Sequence, residues 1–147
     1  MLPILAKIHE EGEYEPTIKD VRKWFDILNA VIFDGRVPKF SKIRIKNVSG
    51  QIAAACPMHD HSNQESRFCN LEIHSKFRSF QFFITILAHE MVHSYQWLVE
   101  RRSQMSHGPS FFSWRARLAE HHIPLHIKYD TKAIDKVAVK VDNPGQA

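Results

Sequence analysis

The alternation of hydrophobic and polar positions predicts a chain of helices and short strands. Apolar residues recur at helical spacing after Thr17, which can cap a helix from Ile18 to about Phe33. Three segments favour strands, namely 42–48, 51–56 and 68–74, and a polar loop over 57–67 joins the last two. The remaining predicted elements are two helices and an extended segment, over 79–100, 109–121 and 125–129. This order predicts an α+β fold in which a small antiparallel sheet packs on helices.

Length and composition favour a single domain over residues 1–147. A chain of 147 residues with 44% hydrophobic content can bury a sizeable core. We expect residues 1–16 to form a loosely held arm and residues 130–147 to form a flexible tail. The chain has no apolar run of about eighteen residues and no basic lead before its short apolar start, so neither a membrane span nor secretion is expected. With only two cysteines, a cytoplasmic or nucleoid (DNA-associated) location is expected.

The most informative segment is His89-Glu90-Met91-Val92-His93, which lies inside the predicted long helix. Positions four apart lie about 40° apart around a helix, so His89 and His93 point the same way. They can supply two Zn²⁺ ligands, with Glu90 beside them as general base for a metal-activated water. The preceding residues are apolar on nearly every face, which indicates a buried helix where such polar groups need a metal. The alternative is a solvated surface helix.

A third ligand is available at His107, at the start of the next predicted helix. Gly108 permits a tight turn and Pro109 suits the first helical position, so His107 lies at a loop-to-helix junction. Three histidines with an open fourth position are typical of a catalytic zinc site. The same imidazoles also accept Mn²⁺, Co²⁺ or Ni²⁺, and a plain turn histidine is the alternative for His107 alone.

Three segments together resemble the SprT-like (Spartan-type) zinc metallopeptidase family. They are the 89–93 motif, His107-Gly108-Pro109-Ser110-Phe111, and Leu28-Asn29-Ala30-Val31-Ile32-Phe33-Asp34-Gly35-Arg36-Val37-Pro38. They occur in the family's order and cover roughly residues 17–122. The resemblance implies a zincin-like fold with the metal motif on a buried helix, and a zinc-dependent endopeptidase that acts on DNA-associated proteins. It also implies one Zn²⁺ per chain on His89, His93 and His107, with Glu90 as the catalytic glutamate.

The chain also departs from that family. Many members carry a zinc ribbon of four cysteines after the core, but Cys56 and Cys69 both precede the motif, so no such ribbon is expected. Two non-enzymatic alternatives therefore stay open: a metal-binding adaptor for DNA or protein, and a structural component, for example of a virus. The intact Glu90 argues against the adaptor, because a scaffold has no need of that carboxylate.

The substrate is expected to be a protein or peptide bound beside the metal. Peptides commonly bind as an added strand at a sheet edge, so the predicted strand 51–56 is the candidate rim. The residue that stabilises the carbonyl oxygen is not identifiable from the sequence, and Tyr95, His74 and Arg101 are open alternatives. The oligomeric state stays open as well.

A basic stripe makes DNA a candidate partner. The net charge of +4 and the isoelectric point near 9.2 are only mildly basic. Strand alternation nevertheless places three positive charges of the segment 36–46 on one face, which could follow a phosphate backbone. The simpler interpretation is the solvated outer face of a sheet. The stripe comprises Arg36, Lys39, Lys42, Arg44 and Lys46.

A second cluster of metal-ligating side chains surrounds the predicted loop 57–67. Cys56, His59, His61 and Cys69 offer two sulfurs and two imidazoles, which could hold a structural zinc. Their spacing matches no established zinc site. A polar surface loop is therefore the favoured interpretation, with the second metal site as the alternative.

Overall fold

A computed structural model describes residues 3–5, 12–47, 52–130 and 138–139 of the chain. One helix, three strands, three helices and two short strands follow one another along it, and the α+β class is confirmed. None of the helices in this described part has the length and apolar character needed to cross a bilayer. The elements are α1 (Ile18–Ile32), β1 (Ile43–Lys46), β2 (Ala53–Asp60), β3 (Asn63–His74), α2 (Phe80–Leu98), α3 (Pro109–Phe112), α4 (Arg115–Ala119), β4 (Tyr129–Asp130) and β5 (Ala138–Val139).

Helix α1 begins and ends where its local chemistry dictates. Thr17 and Asp20 form a capping box, in which each side chain accepts a hydrogen bond from the other residue's backbone N–H. After the helix, Gly35 adopts a positive φ of 73°, a conformation that glycine tolerates at little cost. The Asn29 side chain then pairs with both the N–H and the C=O of Val37, at 3.0 and 2.9 Å. The chain leaving α1 is thereby folded back onto the helix.

The main sheet is mixed, whereas the sequence predicted an antiparallel one. Its strand order is β1-β3-β2, so β3 is central and β2 lies at one edge. β2 and β3 pair antiparallel as a hairpin, but β1 pairs parallel with β3. The prediction failed because β3 inserts between β1 and β2 and lies parallel to β1, and no local pattern in the sequence indicates that pairing.

The hairpin between β2 and β3 is longer than predicted. The expected loop 57–67 is instead mostly strand, because β2 continues to Asp60 and β3 begins at Asn63. The Asp60 carboxylate accepts hydrogen bonds from the backbone N–H and the hydroxyl of Ser62, which stabilises the tight turn. Side chains at this end of the hairpin are mostly exposed, so they show no hydrophobic alternation for sequence analysis to detect.

Helix α2 runs through the middle of the core. Every residue from Phe82 to Trp97 is buried, and the helix contacts β2, β3 and α1. The Ser79 hydroxyl caps its start by accepting a hydrogen bond from the Phe82 N–H. The helix ends at Leu98 rather than at the predicted residue 100, and Arg67 of β3 donates to the carbonyl oxygen of Trp97 at 3.0 Å. The buried helix that the sequence predicted is confirmed.

The predicted helix over 109–121 is split into α3 and α4. The break lies at Ser113 and Trp114, and the Trp114 ring packs against Phe33 and Tyr95 at centroid distances of 4.7 and 4.9 Å. This large side chain docks on two other elements, so tertiary packing overrides the helical periodicity. Of the extended segment expected over 125–129, only Tyr129 belongs to a strand. That strand, β4, pairs antiparallel with β5.

The N-terminal arm is held against the body wherever it is described. The Ile4 N–H donates to His121 Nδ1 at 3.0 Å, and Leu5 is buried. Further along, Tyr14 exchanges backbone hydrogen bonds with Phe77, both at 2.8 Å. The predicted arm therefore contacts the body of the protein at these residues. The predicted flexible tail lies largely outside the described residues, apart from Asp130 and the β5 pair.

Candidate metal centre

Three histidines converge at one end of a cleft. His89 and His93 come from α2, and His107 comes from the loop that precedes α3; their ligand nitrogens all lie within 4.8 Å of one another. The Nε2 atoms of His93 and His107 are 3.1 Å apart. A tetrahedral ion with metal–nitrogen bonds of 2.0–2.1 Å separates its ligand nitrogens by about 3.3 Å. This donor set therefore fits a divalent metal ion, and it is the only such group in the described part of the chain.

His89 and His93 each have a partner at Nδ1. His93 Nδ1 lies 3.0 Å from Gln96 Oε1, and His89 Nδ1 lies 3.4 Å from the Tyr129 hydroxyl. The Tyr129 hydroxyl donates its own proton to the Pro124 carbonyl at 3.0 Å, so it can accept from His89. An acceptor at Nδ1 leaves the Nε2 lone pair for a metal. Sequence analysis missed both partners, because neither stands in a motif.

Phe111 forms a common support beneath the three ligands. Its ring lies 4.9, 4.8 and 4.9 Å from the rings of His89, His93 and His107, and the side chain is fully buried. Gly108 and the short helix α3 turn the chain so that His107 and Phe111 face the same side. The segment 107–111, which the sequence singled out, thus supplies one ligand and the apolar support for all three.

Glu90 is buried beside the histidines and is tied to the sheet. Its Oε1 accepts a hydrogen bond from the Ala55 backbone N–H at 2.9 Å. Burial raises the pKa of Glu90 to about 7, and the hydrogen bond from Ala55 opposes that rise. A carboxyl group with a pKa near neutrality can both accept and release a proton under physiological conditions.

His93 is held in its neutral form. Burial lowers the pKa of His93 to about 4, and the neighbouring His107 lowers it further, while the hydrogen bond with Gln96 opposes the change. At pH 7 the imidazole is therefore uncharged. A neutral imidazole is the form that binds a metal.

The histidines and Glu90 line an open cleft with a volume of about 720 Å³. One wall is the edge strand β2, through Ala53, Ala54 and Ala55. The His107 loop and residues 127–129 also line the cleft. The three alternatives for the carbonyl-stabilising residue, His74, Tyr95 and Arg101, are not among the residues that line the cleft. Tyr129, which sequence analysis did not consider, lies there instead.

The second predicted cluster is not assembled into a metal group among the described residues. Cys69 is fully buried in the core, where burial raises the pKa of its thiol to about 12. Cys56 and His59 lie an odd number of positions apart on β2, so their side chains point to opposite faces. The His59 ring packs edge-on against Trp97 at 5.0 Å, and His61 lies in the turn. The favoured interpretation of 57–67 as a polar loop is wrong, because these residues form the end of the β2–β3 hairpin.

The basic stripe is partly neutralised by an acid on the neighbouring strand. Arg44 and Lys46 share the predicted face of β1, and Glu72 of β3 lies between them at 3.7 and 2.9 Å. The Arg36 guanidinium packs on the Tyr95 ring, 5.2 Å from its centroid. Lys39 and Lys42 are exposed. DNA binding by this stripe remains a prediction.

Comparison with known proteins gives one result. The sequence model of the SprT-like family matches residues 21–133, which is most of the chain and includes most of α1, the three histidines and Glu90. No curated protein matches the chain.

Proposed function

We propose, from the premise that this chain belongs to the SprT-like family, that it is a zinc-dependent endopeptidase. The observation that carries the proposal is the buried carboxylate of Glu90 beside three convergent imidazoles. Histidine-only ligation with a position left open is typical of catalytic rather than structural zinc. The cleft beside these groups is open and large enough for an extended peptide.

Each polar group of the site has a role in hydrolysis. His89, His93 and His107 would hold the ion. When bound, a divalent ion supplies Lewis acidity toward a carbonyl oxygen and lowers the pKa of water. Glu90 removes a proton from the attacking water and later delivers it to the leaving amine. Because Oε1 accepts the hydrogen bond from the Ala55 N–H, the second oxygen of Glu90 is the one left to take up the proton.

The substrate would pair with the edge of β2 that no other strand of the described residues covers. Leu71 of β3 donates its N–H to Lys42 on the β1 side, so its partner Ala55 directs its N–H to the opposite, free edge. Ala53, two residues earlier, faces the same edge, and Pro57, two residues later, has no N–H to offer. Since Glu90 occupies the Ala55 N–H, Ala53 is the residue that can both donate to and accept from a peptide strand.

The natural substrate belongs to the same proposal. The basic residues of β1 and the family resemblance favour proteins bound to DNA. The alternatives are a metal-binding adaptor and a structural component, neither of which turns over a substrate. The burial of Glu90 against the edge strand favours the enzyme, because a buried carboxyl group costs stability and needs a functional reason to be retained.

The test is the Glu90→Gln variant, loaded with zinc and incubated with denatured casein, with products read by mass spectrometry. Gln cannot act as a base, yet it can still accept the Ala55 hydrogen bond. We expect the cleavage rate to fall by about 10²–10⁴-fold, the range of general acid–base catalysis, while bound zinc stays unchanged.

The matched control is Glu100→Gln, which removes a carboxylate from a surface ion pair with Arg102 outside the cleft. It should cleave at the wild-type rate. Equal cleavage by wild type and Glu90→Gln would contradict the proposal. A folded, zinc-loaded wild type that cleaves neither casein nor DNA-bound protein would favour the adaptor.

A further inference from the structure

Gln96 is a fully buried amide next to the metal centre, and its hydrogen-bonding capacity is completely used. Its Oε1 lies 3.0 Å from His93 Nδ1 and accepts from the Ser106 N–H at 3.1 Å. Its Nε2 donates to the Ser106 carbonyl at 3.1 Å and to the Ser110 hydroxyl at 2.9 Å. Two accepted and two donated hydrogen bonds are all that a glutamine side chain can make.

The orientation of this amide is fixed by its surroundings. The Ser106 N–H needs an acceptor and the Ser106 carbonyl needs a donor, so the amide oxygen must lie on the N–H side. That arrangement directs Oε1, and not Nε2, at His93. The imidazole must then carry its proton on Nδ1, and the lone pair on Nε2 points toward His107.

We propose that Gln96 is a positioning residue for the metal centre, which fixes the Nδ1–H tautomer and ring orientation of His93. Its Nε2 anchors the amide to the loop that carries His107, so the two ligands are held relative to each other. The inference rests on the metal site of the proposed function, but none of its tests uses peptide cleavage.

The energetics favour this role over simple space filling. An apolar side chain would fill the same buried volume without the cost of burying an amide. Such a replacement would, however, leave four polar groups without their Gln96 partner, namely the buried His93 Nδ1, both backbone groups of Ser106 and the Ser110 hydroxyl. Partners of this kind typically change metal affinity by about 10–100-fold when they are removed.

The first test compares Gln96→Met with wild type. Methionine matches the length of glutamine and fills irregular core space, but it neither accepts nor donates the four hydrogen bonds. Zinc affinity is measured by competition with a chelator, and the visible spectrum of the Co²⁺-loaded protein reports ligand geometry. We expect zinc to bind about 10–100-fold more weakly and the Co²⁺ bands to shift, because the His93 ring can rotate.

The matched control is Gln81→Met, which changes a half-buried glutamine of the same helix more than two turns before His89. It should leave both the zinc affinity and the Co²⁺ spectrum unchanged. Zinc binding by Gln96→Met within about twofold of wild type, with the same Co²⁺ spectrum, would overturn the proposal.

A second measurement needs no variant and so holds even if Gln96→Met fails to fold. Long-range ¹H–¹⁵N correlation spectra of the wild-type protein, with zinc or without it, identify which nitrogen of His93 bears the proton. We expect Nδ1–H, together with slowly exchanging side-chain amide protons of Gln96. A proton on Nε2 in the metal-free protein, or rapid exchange of the Gln96 amide, would overturn the inference. Neither result depends on whether the protein is a peptidase.

Discussion

Helix α2 and the hairpin of β2 and β3 both carry metal-ligating side chains, but they present them differently. On α2, His89 and His93 are four positions apart and lie on one face, where the loop returns His107 to them. On the hairpin, Cys56 and His59 point to opposite faces of β2. Cys69 lies on the neighbouring strand β3, where it is buried. The number of ligand atoms is similar in the two regions, and only α2 brings them together.

The difference lies in the match between spacing and secondary structure. A separation of four suits a helix with 3.6 residues per turn, whereas a strand needs an even separation to keep two side chains on one face. The α2 site also has supporting partners at Gln96, Tyr129 and Phe111, and they fix the rings before a metal binds. Histidines and cysteines that lie near each other in sequence therefore form a metal site only when their spacing places them on one face of the helix or strand that carries them.

The largest expected effect is the stabilisation of the α2 site by zinc. A ligand that binds only the folded state, at a concentration a thousand times its Kd, stabilises that state by about 4 kcal/mol. For a domain of this size, that raises Tm by roughly 10 °C. Differential scanning fluorimetry with and without excess zinc should show this rise for wild type and should show almost none for His107→Ala.

The hairpin supplies the control for that measurement. His61→Ala and Cys56→Ser should keep the full rise in Tm, because those side chains belong to no metal group in the described part of the chain. A loss of the rise in either hairpin variant, with His107→Ala unaffected, would reverse the comparison between the two regions.

A smaller effect concerns the metal-free protein and the charge on Glu90. Its folded pKa of about 7 exceeds the ordinary value of 4.5, so between those pH values the folded protein holds a proton that the unfolded chain has released. Its contribution to stability is thus present below pH 4.5 and is lost as pH rises through 7. Glu90→Gln has no such charge to lose. The free energy of unfolding of this variant should therefore exceed that of wild type by up to about 3 kcal/mol at pH 8.

Urea unfolding in the presence of a chelator measures this difference. The gap between Glu90→Gln and wild type should shrink as the pH falls from 8, and should approach zero only below pH 4.5, where Glu90 is protonated in both the folded and the unfolded state. His93 titrates in the opposite direction, since its folded pKa of about 4 lies below 6.5, but it contributes equally to both proteins. A gap that is constant from pH 5 to pH 8 would show that Glu90 is not held in a desolvated environment.

Local patterns predicted helices α1 and α2 and the grouping of the three histidines well. The capping residue Thr17, the helical spacing on α1 and the apolar run before His89 each reflect interactions within a few positions, and the structure confirms the elements they predict. The convergence of His107 with the two α2 histidines is likewise present. In each case, a short segment or a motif carries the information.

Features that depend on distant contacts escaped prediction. The parallel pairing of β1 with β3 joins segments separated by the whole of β2, and no local pattern indicates it. The break at Ser113 and Trp114 follows from packing of the Trp114 ring on Phe33 and Tyr95. Gln96 and Tyr129 are ordinary polar residues in sequence, and only their distances to His93 and His89 reveal their roles.

The central claim is that His89, His93 and His107 together hold one metal ion. Elemental analysis of the purified wild-type protein, beside His93→Ala, tests it most directly. The account predicts about one zinc per chain in wild type and nearly none in the variant. A folded wild type that binds no metal even when zinc is supplied would contradict it, and so would an unchanged zinc content in His93→Ala.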